Sequence, residues 1–211
     1  MKILTLLYTL AGAVLFSTAA ANATTVLPMN LKDLTVGAEI IFVGTVSDIR
    51  SEKQVNAIYT YVAFSNLQFV KGEHPGTTIE IRLFGGSVGG ETIEVLGMPR
   101  YVLGERNLIF LAGNYRYICP VVGWGQGRFK IGRDTLSGRQ VMLDGVNRPV
   151  TEIAGNQIVT ESNARPSRGF PGIPVSGPMP SLHFDHPREQ KKPVSLQEFI
   201  AFIHKIIDAK N

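Results

Sequence analysis

The clearest pattern along the chain is strict alternation between Thr77 and Phe84, where Ile79, Ile81 and Leu83 share one face and Glu80 and Arg82 the other. That period of two predicts a half-buried strand. Upstream, residues 38–49 form a nearly continuous apolar strand with Gly44 at a bend or bulge. Residues 57–70 form a long strand rich in Tyr, Val and Phe, whose apolar set changes phase between Phe64 and Leu67. Further strands are predicted at 92–96, 107–112, 115–122, 127–131 and 139–143. Turns fall at 71–76, in the Gly-rich stretch 85–90, at 132–134 and at 144–145. A short helix is expected over 30–34, with Asn30 as its N-cap. Short strands, regular turns and two internal bends suit a small closed or partly open β-barrel, with a sandwich as the alternative. No internal repeat is visible.

Two other patterns bracket this β-rich region of residues 24–161. Lys2, the apolar stretch Ile3–Phe16 and the triplet Ala21-Asn22-Ala23 have the form of a secretory signal over residues 1–23. The apolar run is shorter than the roughly 20 residues a spanning helix needs, so an anchor is the weaker reading. Cleavage after Ala23 gives a mature chain starting Thr24-Thr25, without a further transmembrane candidate, in the periplasm or outside the cell. At the other end, residues 162–193 hold seven of the twelve prolines and read as a stiff linker. Residues 194–211 then predict an amphipathic helix. Ser195 and Glu198 form a capping box, and Leu196, Phe199, Ile200, Ile203, Ile206 and Ile207 make one apolar stripe. The stripe either docks on the β domain or captures a partner.

Composition narrows the reading. At 211 residues and 44% hydrophobic, the chain is one foldable domain with an appendage, not a disordered polymer. The net charge of +4 falls to +3 without Lys2, and the 162–193 linker carries that whole excess. Basicity confined to such a linker argues against nucleic acid as a partner and leaves a weak attraction to anionic envelope surfaces.

Little in the sequence announces catalysis. The single cysteine, Cys119, excludes an intramolecular disulfide scaffold and a Cys-based zinc cluster. Flanked by Ile118 and Pro120, it reads as a core residue, and a thiol enzyme built on it is the minor alternative. His183-Phe184-Asp185-His186 is the one segment resembling metal ligands, but its spacing matches no usual zinc site. The loop Gly85–Gly90 runs into a strand where a phosphate cradle needs a helix, so its glycines serve positive φ or close backbone approach. No H-E-x-x-H or S-x-x-K arrangement occurs. The expectation is a non-enzymatic protein without cofactor or metal.

Three segments in order carry a resemblance. Ala38-Glu39-Ile40-Ile41-Phe42-Val43-Gly44-Thr45-Val46 looks like the opening strand of the netrin-like domain of tissue inhibitors of metalloproteinases. Tyr59-Thr60-Tyr61-Val62, running on to Phe69-Val70-Lys71-Gly72, is similar to its second strand. Gly104-Glu105-Arg106-Asn107-Leu108-Ile109-Phe110-Leu111-Ala112-Gly113 resembles the later strand written "fliaG". Gly85–Arg100 also resembles a GG-x-x-GG…G-x-P-R loop in a group of exported bacterial proteins. The resemblance implies an OB-type barrel that inhibits a zinc protease, with the first mature residue on the metal and the second in the specificity pocket. Thr24 and Thr25 take those places, and the 85–100 loop, through Gly86, Gly89, Met98 and Pro99, adds contacts. The departure is that the animal inhibitors begin with a disulfide-bonded cysteine, whereas Thr24 stands here. The alternative expectation is an envelope interaction module in which the barrel is scaffold and the final helix or linker binds.

Overall fold

Two long strands organise the molecule. The computed structural model describes residues 27–134, 137–161 and 191–209. Helix α1 (Leu31–Gly37) comes first, capped by Asn30, whose side chain accepts from the Asp33 amide at 2.9 Å. Strands β1 (Ile40–Gln54) and β2 (Ala57–Lys71) follow and pair antiparallel along almost their whole length. Their register breaks in the middle, where Asn66 and Leu67 together oppose Gly44. This is the phase change visible in the sequence, and Asn66 makes it by taking a φ of 51°. Gly44 is required beneath it, since a Cβ there would come within 3.1 Å of both the Phe42 ring and the Phe64 Cβ.

Strand β3 (Ile79–Phe84) adds to the far side of β2 with the expected alternating burial. A small hairpin of β4 (Gly86–Val88) and β5 (Glu91–Ile93) follows. Strand β6 (Arg106–Leu111) returns to the open side of β1, then β7 (Arg128–Arg133) and β8 (Gln140–Leu143) extend the sheet. The order is β3-β2-β1-β6-β7-β8. A second hairpin, β9 (Val150–Ala154) and β10 (Gln157–Thr160), and helix α2 (Leu196–Asp208) complete the described chain. The protein is mainly β with one helix near each end of the described chain, as the sequence pattern predicts.

Closure is where the sequence expectation needs correcting. The edge strands β3 and β8 do not pair with each other, so the six-stranded sheet is open and not a barrel. The 115–122 segment, expected as a strand, contributes only one isolated bridge, Leu111 to Val121. Gly113 and Tyr115 sit at φ of 60° and 62°, and Pro120 has no amide to donate, so this segment cannot run as a ladder. It folds along the edge of β3 instead. The Phe84 amide donates to the Ile118 carbonyl at 2.8 Å, and Asn114 exchanges bonds with the Arg82 amide and the Glu80 carbonyl. The opposite edge, β8, is covered by Val194, whose carbonyl accepts from the Met142 amide at 3.0 Å. Both edges are thus protected without closure.

The sheet is covered on both faces, which explains the unbroken apolar runs at 38–46 and 107–111. Phe42, Ile109 and Leu111 join one buried cluster with Phe64, Ile81 and Val121. Ile41, Val43, Leu108 and Phe110 face the other, beneath α1 and α2. The capping box of α2 forms as read, with the Ser195 amide donating to Glu198 Oε2 at 2.8 Å and the Glu198 amide to Ser195 Oγ at 3.2 Å. Leu196, Phe199 and Ile203 are buried, so the apolar stripe docks on the sheet. Each such side chain contributes roughly 1.5–3 kcal/mol on burial.

Candidate functional site

The loop that leaves β3 is pinned before it becomes a hairpin. The Gly85 amide donates to the Ile58 carbonyl at 2.7 Å, and Thr60 Oγ1 donates to the Gly85 carbonyl at 2.8 Å. Gly86 then passes directly over Ser51 and Thr60. Its φ is 137°, and a Cβ would meet Ser51 Oγ at 2.7 Å and overlap the Thr60 hydroxyl. Gly89 and Gly90, at φ of 59° and 85°, make the tight turn at the hairpin tip. The chain next returns inward. Met98 packs on the core with Tyr101 and Trp124, and Pro99 is buried. Met98 and Pro99 line two cavities. The first, about 470 Å³, lies between this hairpin and the β1–β3 face, and includes Gly86, Ile49 and Leu83 in its lining.

The second cavity, about 730 Å³, is bordered by four segments distant in sequence: 28–29, 97–100, 123–129 and 144–160. Its geometry begins with Gly123-Trp124-Gly125-Gln126-Gly127. Trp124 holds a φ of 59°, an uncommon state for a bulky residue. A Cβ on Gly127 would overlap the Val122 carbonyl, and one on Gly145 would come 2.9 Å from the Gly125 carbonyl. Gln126 fixes the start of the described chain. Its Nε2 donates to the Leu27 carbonyl at 3.0 Å, and its Oε1 accepts from the Met29 amide at 2.8 Å. Opposite, Asp144 staples its own loop by accepting from the Val146 and Arg148 amides and from the Arg148 guanidinium.

A buried ionic network lies behind that cavity. Arg128, with a side chain 8% exposed, donates from Nη2 to Glu105 at 2.8 Å and from Nε to Asn107 at 3.0 Å. Glu105 also takes Lys130 at 2.5 Å, so one carboxylate serves two cations. The Arg128 guanidinium stacks 4.9 Å from the Tyr101 ring centre. The Tyr101 hydroxyl is buried and has no hydrogen-bond partner among the described residues, and burial pushes its pKa up. Cys119 is buried too, and burial raises its thiol to about 11, which keeps it protonated near neutrality.

The structure brings Gly86, Met98 and Pro99 together at the first cavity, and leaves Gly89 at the hairpin tip with open space around it. Thr24, Thr25, the signal-like residues 1–23 and His183–His186 lie outside the described residues, as does most of the Pro-rich segment. Sequence reading passed over Trp124, Gln126 and Arg128, although a lone tryptophan in an alternating Gly-Trp-Gly-Gln-Gly run was a usable signal. It also passed over Leu96, Val102 and Leu103, all exposed, with Leu96 at 93%. Among the described residues, no group of three or more His, Cys, Asp or Glu side chains is placed to hold a metal. No helix among them is long and apolar enough to cross a membrane. None of the protein-family models, curated sequences or solved structures compared with the chain matches it.

Proposed function

We propose that the protein is an exported, non-enzymatic inhibitor of a zinc metalloprotease, acting through Thr24 and Thr25 together with the 85–100 loop. The observation that carries this reading is the anchorage of residues 27–29 beside the 97–100 segment. Leu27 and Met29 are tied to Gln126, and Pro28 and Met29 share a cavity wall with Met98 and Pro99. Thr24 precedes Leu27 by three residues, a span of at most about 10 Å. Residues 27–29 and the 97–100 part of the loop therefore belong to one end of the molecule. Exposed Leu27 and Leu96, next in sequence to the cavity residues Pro28 and Gly97, give that end apolar contact area.

Chemically, a free α-amine and its carbonyl can ligate an open zinc position once the leading residues are ordered, at about 1–2 kcal/mol per residue. In the alternative reading, the final helix or the linker captures a partner. The stripe of α2 is already turned onto the sheet, so a partner would meet the helix's polar side.

The test is to secrete the protein, confirm the N-terminus by mass, and titrate it against a panel of zinc metalloproteases with an N-acetylated control. Inhibition by the free form alone supports the reading. No binding to any enzyme at micromolar concentration sinks it for the enzymes tested.

A further inference from the structure

The second cavity has a chemistry that protease contact through the N-terminus does not use. Its lining combines apolar Met98, Trp124 and Phe129 with three arginines, Arg100, Arg128 and Arg148. Arg128 is a built anchor, not a surface charge. Its Nε and Nη2 are held by Asn107 and Glu105, and Tyr101 backs its face. These bonds engage two of its five N–H donors, and Glu105 divides its charge with Lys130. The site thus keeps one rigid, incompletely neutralised cation in a largely desolvated position. Asp144 is the carboxylate lining the cavity, and it is consumed by Arg148 and two backbone amides.

We propose that this cavity binds an organic carboxylate carrying an apolar or aromatic group, with the carboxylate on Arg128 and the apolar part against Trp124 and Met98. A planar guanidinium with N–H donors to spare matches a carboxylate. Arg100 is paired with Glu94 and Arg148 with Asp144, so the charge left at Arg128 fits a monoanion better than a phosphate, which draws on several cations or backbone amides. About 730 Å³ lies within the usual range for small-ligand sites. The strained φ of Trp124 holds the indole in that wall, as expected where ligand contact repays backbone strain.

Trp124 is the single tryptophan of the chain, so its emission reports on this cavity directly. The probes are 3-phenylpropanoate, N-acetyl-L-phenylalanine, the corresponding amide N-acetyl-L-phenylalaninamide, and inorganic phosphate. Both acids are expected to change Trp124 emission saturably and to raise the melting temperature. The amide should bind about tenfold more weakly, the loss of one charge-assisted hydrogen bond. The tighter of the two acids distinguishes a free acid from a peptide chain end, and either one supports the proposal. Arg128→Lys should weaken both acids while leaving the amide unchanged. Because that variant touches the Glu105 network, amide and indole shifts of the unaltered protein are mapped as well, with changes expected at Trp124, Gln126 and Arg128. The proposal is overturned by no saturable change up to about 1 mM acid, by equal binding of acid and amide, by phosphate competing as well as the acids, or by shifts centred elsewhere. These outcomes are independent of protease inhibition.

Discussion

At Gly86, one hydrogen atom in place of a methyl group decides whether the β4–β5 hairpin can lie on β1 and β2. Gly86→Ala would force a Cβ into Ser51 and Thr60 at a φ that alanine resists. We expect a loss of about 1–3 kcal/mol in denaturant unfolding, against a smaller loss of about 1 kcal/mol for Gly138→Ser, where space is open and only the positive φ resists a side chain. A second residue-scale expectation concerns Cys119. Its thiol, raised to about 11 by burial, should react with a disulfide reagent at pH 8 only as fast as the protein opens, and promptly in guanidinium. Prompt reaction in the native state would contradict its place in the core. Glu105 makes the third. Glu105→Ala leaves Arg128 and Lys130 without their shared carboxylate, and we expect about 3–5 kcal/mol lost by urea titration.

At the scale of elements, helix α2 is where local sequence and tertiary packing agree most closely. Phe199 is fully buried 4.9 Å from the Phe129 ring, so Phe199→Ala should cost about 3–5 kcal/mol. The Glu198 carboxyl is held below the ordinary 4.5 by its bonds to Ser195, with help from Arg139. A carboxyl depressed in the folded state contributes stability above its unfolded pKa, and loses it as pH falls through the lowered value. Stability should therefore drop on acidification below about pH 4.5, and the gap between the native protein and Glu198→Gln should close there. Parallel curves down to pH 3 would show that Glu198 is not responsible.

The same helix shows what the sequence could state. A capping box and an i, i+3, i+4 stripe are local signals, and both reappear unchanged in the structure. The bulge at Gly44 and the alternation of β3 were legible for the same reason. The β9–β10 hairpin was missed although Gly155-Asn156, at φ of 53° and 73°, is a turn signal. The 115–122 segment misled because its apolar content, buried at Cys119 and Val121, looks like a strand's while its backbone is that of a loop.

At the scale of the molecule, the site was the least legible part. The second cavity assembles Met29, Met98, Trp124, Arg128 and Asp144 from separate stretches of chain, and only the sheet order makes them neighbours. A local window sees none of this, so the glycines of the 85–90 loop drew attention while Arg128 did not. Openness follows from the same topology. With β3 and β8 each covered by a loop or a linker end, the sheet keeps two protected edges and one end where the N-terminal stretch, the 97–100 loop and the Trp124 turn meet.

That end carries the central claim, and one comparison tests it most directly. The inhibition constant for a susceptible zinc protease is measured for the protein beginning at Thr24 and for the same protein with one additional N-terminal alanine. The extra residue shifts the α-amine by one position and alters none of the described residues. The account expects inhibition by the first and its loss in the second. Equal inhibition by both would contradict it.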